Sequence, residues 1–411
     1  MTVNRFTLDN GLRVVHEENP GSQLVIVNTL YQVGSRNEEP DHTGFAHLFE
    51  HLMFGGSANI PDFDKHIQLA CGDNNAFTIF DFTNYYDLVP AANVETCLWL
   101  ESDRMRSLAF TPESMEVQRQ VVMEEFKQNY INRPFGDLTH LMSALAYQVH
   151  PYRWPTIGLK LEHIADATLD YVRDFFFHYY APNNAILVIV GNITLERTKE
   201  LVEKYYGDIP CRNIRPLSIG KEPPHPQQRR LTVEREVPLD LLNITFSIPP
   251  IQHPDFHACD MITDILAVGK SSRLYKRLVL DKPVFSSIDA YISGRMDPGL
   301  LNIMGVPVPG VSIQQAENEL WTVLEQLRNV AVSEEELDKV KNNYEFNHAW
   351  KLTSDMKRAQ EYAQHEMMGD ATKVFLQPGE YKAVDAEQLQ QACRRYLDAN
   401  NANVLQYLSR K

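Results

Sequence analysis

The sequence predicts an α+β fold made of two domains of similar plan. Three observations carry this: the length, the mixing of strand-like and helix-like segments, and a restart of the same order after a Pro- and Arg-rich break. A chain of 411 residues exceeds one simple core and suits two domains of about 200 residues each. Hydrophobic residues make up 44% and charged residues 23%, an ordinary globular composition.

The N-terminal half opens with strand, turn and strand: Arg5 to Leu8, Asp9-Asn10-Gly11, then Leu12 to Val15. Asn and Gly tolerate positive φ, which makes the middle segment a turn. An apolar strand follows at Leu24 to Tyr31, and helical periodicity appears near 43–54, 94–107, 112–131 and 167–179. Ala185 to Val190 is a continuous apolar strand stopped by Gly191-Asn192. Between Pro210 and Arg230 the chain is rich in Pro, Arg and Gln without periodicity, which reads as a linker. The second half restarts with a strand at Leu241 to Ser247, a helix near 254–267, a hairpin-like region at 284–305, and helices near 312–329 and 334–351. The expected division is therefore an N-terminal domain at 1–212, a linker at 213–231 and a C-terminal domain at 232–411. A duplication fits the repeated order, although identity between the halves is too faint to establish it.

Several function classes fall away early. With 39 basic and 54 acidic residues the formal charge is −15, a sign that repels nucleic acid and anionic lipid. Gly269-Lys270-Ser271 resembles part of a phosphate-binding loop. However, Asp264 stands where that loop needs a glycine, and a helix precedes it, so nucleotide binding is rejected. The first residues lack the apolar core of a secretory signal, and no stretch approaches the roughly 18 apolar residues of a membrane span. Cys71, Cys97, Cys211, Cys259 and Cys393 are scattered and odd in number, as in a reduced protein, and the expected location is the cytoplasm.

The chemistry concentrates in Thr43 to Gly56. Asp41 or Thr43 is the expected helix cap, and Gly55-Gly56 the stop. On this helix Phe45, Leu48, Phe49, Leu52 and Met53 form an apolar stripe, while His47, Glu50 and His51 share the opposite side within about 100° of one another. Histidines at i and i+4 aim two imidazoles at one ion, and Glu50 is placed to serve as general base rather than ligand. The plain alternative is a solvent-facing polar stripe. A catalytic zinc usually takes a third protein ligand. The helix at 112–131, capped by Thr111 with Pro112 in its first turn, buries Met115, Val122 and Phe126. Glu125 lies at the edge of that buried face and Glu124 points away, so Glu125 is the better ligand. Its alternative is a salt bridge within the core.

His47-Leu48-Phe49-Glu50-His51 followed by Glu125 resembles the inverted-motif zinc peptidases, the pitrilysin, insulysin and mitochondrial processing peptidase family. Further matches are LDNGLRV at 8–14, Asn75-Ala76-Phe77-Thr78, Thr83-Asn84-Tyr85-Tyr86, HPYRWPTIG at 150–158, YYAPNNAILVIVGNI at 179–193 and, more loosely, Ser271-Ser272-Arg273-Leu274-Tyr275. The resemblance implies two homologous α/β-roll domains per chain, each an antiparallel-rich sheet covered by helices. It also implies half of a clam-shell peptidase, the other half being a second homologous chain or a second copy. It places one zinc per chain on His47, His51 and Glu125, with Glu50 as base and a peptide substrate added as a strand beside Asn75, Ala76 and Phe77.

Two departures accompany the resemblance. Gln118 stands where the family often has a second-shell Glu, so that support is uncharged. Val279 and Ser286 stand where active members carry the Arg and Tyr that hold substrate and the developing oxyanion; Arg277 and Phe285 are near but do not match. The expected function is a zinc endopeptidase subunit working with a second homologous chain or as a homodimer, with no nucleic-acid or membrane partner. The competing class is a non-catalytic zinc- and peptide-binding assembly subunit. An N/N/O ligand set also accepts manganese or cobalt.

Overall fold

The computed structural model describes residues 2–223 and 226–410. They gather into two compact units, each a mixed sheet covered by helices, which is the α+β architecture expected. The first unit runs to Asn129 and adds Trp154–Gly220 and Ala349–Leu376. The second holds Tyr130–Arg153, Lys221–His348 and the residues from Gln377 onward.

In the first unit the strands are β1 (Val3–Thr7), β2 (Arg13–Glu18), β3 (Leu24–Tyr31), β4 (Asp73–Thr78), β5 (Thr83–Pro90) and β6 (Ala185–Gly191). They lie in the order β1-β2-β6-β3-β5-β4, antiparallel except for the parallel pair β2–β6. Every residue of β6 is buried, since helices cover both faces of the sheet and leave no polar side to alternate. One face packs against α1 (Phe45–Leu52), α2 (Phe63–Leu69), α3 (Val94–Arg106), α4 (Pro112–Phe126) and the helices Leu169–Tyr179 and Leu195–Tyr206. Across the other face lies helix Asp355–Met367, whose Ala359, Tyr362 and Ala363 pack on Val15, Ile26, Leu30, Ile186, Val188 and Val190.

The second unit repeats this plan with β7 (Arg229–Arg235), β8 (Leu241–Ile248), β9 (Phe285–Ser293), β10 (Gly299–Pro307) and β11 (Ala402–Ser409). Their order is β7-β11-β8-β10-β9, again with one parallel pair, β7–β11. Helices Phe256–Ala267, Ile313–Asn329 and Ala386–Tyr396 cover one face, and Leu138–Ala146 sets Met142 against Leu405 and Tyr407 on the other.

Register establishes the duplication that sequence identity leaves faint. Asn183-Asn184-Ala185 leads into β6 as Asn400-Asn401-Ala402 leads into β11. The Asn184 amide donates to Tyr179 O at 2.8 Å and Gln32 O at 3.4 Å, and that of Asn401 to Tyr396 O at 2.8 Å and Ser247 O at 2.9 Å. From these anchors the pairing runs Leu187–Thr29–Tyr85–Ala76 across the first sheet and Val404–Ile244–Ile303–Ala290 across the second. Asn75-Ala76-Phe77 on edge strand β4 therefore corresponds to Asp289-Ala290-Tyr291 on edge strand β9. Even the local bond is shared: Ala76 N–H donates to Asn75 Oδ1 at 2.8 Å, and Ala290 N–H to Asp289 Oδ1 at 2.9 Å.

The compact units depart from a linear division at 1–212, 213–231 and 232–411 in two places. Residues 130–153 belong with the second unit and 349–376 with the first. Each excursion carries the helix that covers the outer face of the sheet it joins, and an amphipathic pattern does not declare which sheet its apolar side will meet. The segment 210–223 has no regular secondary structure, whereas 229–231, at the end of the expected linker, already belong to β7. Among the described residues no helix is long and apolar enough to cross a membrane, and all five cysteines are free.

Candidate metal centre

Helix α1 buries the expected stripe, with Phe45, Leu48, Phe49 and Met53 fully inaccessible and Leu52 nearly so. Its start differs from expectation. The N-cap is Gly44 in the left-handed region (φ 88°), and it has no side-chain cap of its own. Asp41 is exposed, and the Thr43 hydroxyl is already committed to His163 Nδ1 at 2.8 Å and the Leu159 N–H at 2.7 Å. The helix start is held by Glu38 instead, which accepts from the Gly44 and Ala46 N–H groups. A Cβ on Gly44 would lie 2.7 Å from Ile157 O and 2.8 Å from Ile164 Cδ1. Gly44→Ala should therefore destabilise the chain by about 2 kcal/mol or more, combining left-handed strain with the clash. Urea unfolding checks this, and an unchanged midpoint would contradict it.

Helix α4 begins as expected, with Thr111 accepting from the Ser114 N–H and Pro112 in the first turn. It buries Met115, Val122 and Phe126, leaves Glu124 exposed and sets Glu125 at the half-buried edge. The α-helix stops at Phe126 and passes into a π-type turn at Lys127–Ile131, earlier than the periodicity suggests.

The two helices bring His47, His51 and Glu125 together. Glu125 Oε2 lies 3.4 Å from His51 Nε2 and 3.7 Å from His47 Nε2, and one donor atom from each residue falls within 4.8 Å of the others. Tetrahedral bonds of about 2.0–2.2 Å place donors about 3.4 Å apart, so the set fits a divalent ion. The imidazoles of His47 and His51 meet edge to face at 87°, with ring centres 4.9 Å apart. Among the described residues Glu125 has no Lys or Arg partner; its contacts are the two imidazoles and a long contact to Asn129.

The electrostatics suit this role. Burial, then the neighbouring His51, pushes His47 down to about 4 against the partial opposition of Glu125, which keeps its ring neutral and able to donate a lone pair. Glu125 is held below the ordinary carboxylate range, first by its bond with His51. Because the unfolded chain protonates His47 near 6.5 and the folded chain only near 4, the metal-free protein should lose stability as pH falls through that window. His47→Gln should flatten this slope, read from urea unfolding across pH 4–7; an identical slope in the variant would contradict the assignment.

Glu50 projects beside the cluster without joining it. Burial raises its carboxyl, while the neighbouring Thr78 favours the ionised form. Thr78 ends edge strand β4, and its hydroxyl lies 3.5 Å from Ala46 O and 3.4 Å from Thr83 Oγ1. Asn75, Ala76 and Phe77 lie on that same strand, paired with Tyr86, Tyr85 and Asn84. Sequence reasoning missed the role of Thr78, whose only signal was its place after Asn75-Ala76-Phe77.

Gln118 sits against Gly55, just beyond α1, and its amide makes no hydrogen bond to His47, His51 or Glu125. Val279 lies in a π-type turn at Lys276–Asp281, and Ser286 on β9 donates to Val306 O at 3.0 Å. Neither side chain offers the donors of an Arg and Tyr.

Comparison with known proteins gives the family. Residues 13–158 match the family described as insulinase (peptidase family M16), and 166–344 match the peptidase M16 inactive domain. Zinc protease PqqE of Helicobacter pylori is 32% identical over 370 residues, 89% of this chain and 83% of that protein. A protease from Helicobacter pylori superposes with a TM-score of 0.94 at 28% identity, covering 99% of both chains. Pitrilysin shares the fold, with a TM-score of 0.82 at 18% identity over 99% of this chain and 45% of its own. By these matches the chain belongs to the insulinase family of peptidases, family M16.

Proposed function

We propose that this chain is a zinc-dependent endopeptidase that cleaves peptides or unfolded segments. The observation that carries the reading is the convergence of His47, His51 and Glu125 beside a half-buried Glu50 outside the cluster. The three residues would hold one divalent ion, which supplies Lewis acidity toward a carbonyl and toward water. Glu50 accepts the proton of the attacking water and returns it to the leaving amine, a role helped by the burial that raises its carboxyl. Edge strand β4 offers backbone groups to an extended peptide, with the Asn75 side chain occupying the Ala76 N–H until a substrate carbonyl replaces it. Backbone pairing tolerates many sequences and requires an extended chain, hence peptides rather than folded proteins.

A second chain of the same fold, another copy or a relative, completes the working enzyme in this reading. Val279 and Ser286 give no substrate clamp, and pitrilysin is about twice as long as this chain. The same residues favour a second reading, a zinc- and peptide-binding subunit without turnover. Incubating the purified chain with an unstructured quenched-fluorescent peptide decides between them. Cleavage that stops with chelator and returns with zinc supports the peptidase; no cleavage, alone or with a homologous partner, supports the binding subunit.

A further inference from the structure

The carboxylate that starts the metal-binding helix does not belong to it. Glu38 is 5% exposed, and its Oε2 accepts from the Gly44 N–H at 2.9 Å while Oε1 accepts from the Ala46 N–H at 2.8 Å. A usual cap comes from the N-cap residue itself and satisfies one donor or two. Here Gly44 has no side chain to offer, and a carboxylate from outside the helix takes the N–H groups of Gly44 and Ala46.

The next residue is His47, in the first helical turn, where fraying begins. Glu38 is itself fixed: it follows the short turn Ser35–Asn37, whose backbone binds Ile79 O and Phe80 O at 3.3 and 3.0 Å. The Trp154 indole holds the same turn through Ser35 O at 2.9 Å. Ile79 directly follows Thr78, whose hydroxyl lies 3.5 Å from Ala46 O in α1. One rigid path thus runs from the end of β4 through Ser35–Asn37 and Glu38 to the start of α1.

We propose that Glu38 is a positioning residue for the metal centre, its carboxylate setting the axial position and rotation of α1 so that His47 meets Glu125. This rests on the metal-centre reading above. Because His47 lies in the turn that Glu38 holds and His51 lies a turn beyond, disturbing the clamp loosens His47 first. An amide at position 38 keeps one acceptor and turns an N–H toward another N–H; an aspartate keeps both oxygens but is one methylene too short to span both contacts.

Cobalt(II) bound to the full-length chain provides the test, with affinity taken from chelator competition and ligand geometry from the visible d–d bands. Glu38→Gln and Glu38→Asp should each weaken cobalt binding about tenfold and change the band pattern. Glu17→Gln is the control: Glu17 is equally buried in the same unit but serves Arg358 and Tyr362. It should lower the unfolding temperature and leave affinity and bands unchanged. Folded Glu38 variants with wild-type affinity and bands would overturn the proposal, as would an equal loss of affinity in Glu17→Gln. Failure of the wild-type chain to bind cobalt at all would instead refute the metal-centre reading. Either Glu38 variant that folds is sufficient for the decision.

Discussion

Replacing Glu50 by Gln should leave the metal in place and lower peptide hydrolysis by about 10²- to 10⁴-fold, the range a positioned general base contributes. The expectation follows from geometry. Glu50 is one residue before His51 but stands outside the donor cluster, in which Glu125 approaches both imidazoles. Glutamine keeps the size, yet it cannot take a proton. Metal content, peptide binding and turnover should be measured on the same preparation. Loss of metal in Glu50→Gln would make it a ligand; retained turnover would remove it from the chemistry.

The second large effect belongs to the ligands. His51→Ala, and likewise His47→Ala or Glu125→Gln, should weaken zinc binding by at least about 100-fold, beyond the 10- to 100-fold typical of outer-shell partners. Glu124→Gln is the matched control one residue away, since Glu124 is exposed and contacts only Lys127 at 3.4 Å. Equilibrium dialysis against a zinc buffer separates the two outcomes. Equal affinity in the Glu125 and Glu124 variants would sink the third-ligand assignment.

The sequence made the metal cluster legible because helix periodicity is a local code. His47, Glu50 and His51 share a face through spacing alone, and Glu125 differs from Glu124 only by its angle to Met115, Val122 and Phe126. What joins α1 to its surroundings is long-range and was not legible. Asp41 and Thr43 looked like caps because cap preferences are local, yet Thr43 is drawn to His163 and Leu159, and Glu38 acts across a turn. The same limit hid the exchange of covering helices. Helices Leu138–Ala146 and Asp355–Met367 each have an apolar side, but the choice of sheet depends on the folded surfaces. The duplication was faint in residue identity and became plain in strand register, because a sheet conserves its plan while its side chains are free to diverge.

X-ray absorption at the zinc edge of the loaded, full-length chain tests the central claim most directly. The expected first shell is two imidazole nitrogens and oxygen donors at about 2.0–2.2 Å, with one imidazole lost in His51→Ala at saturating zinc. A sulfur donor at about 2.3 Å, or a His51→Ala spectrum identical to that of the wild type, would contradict it.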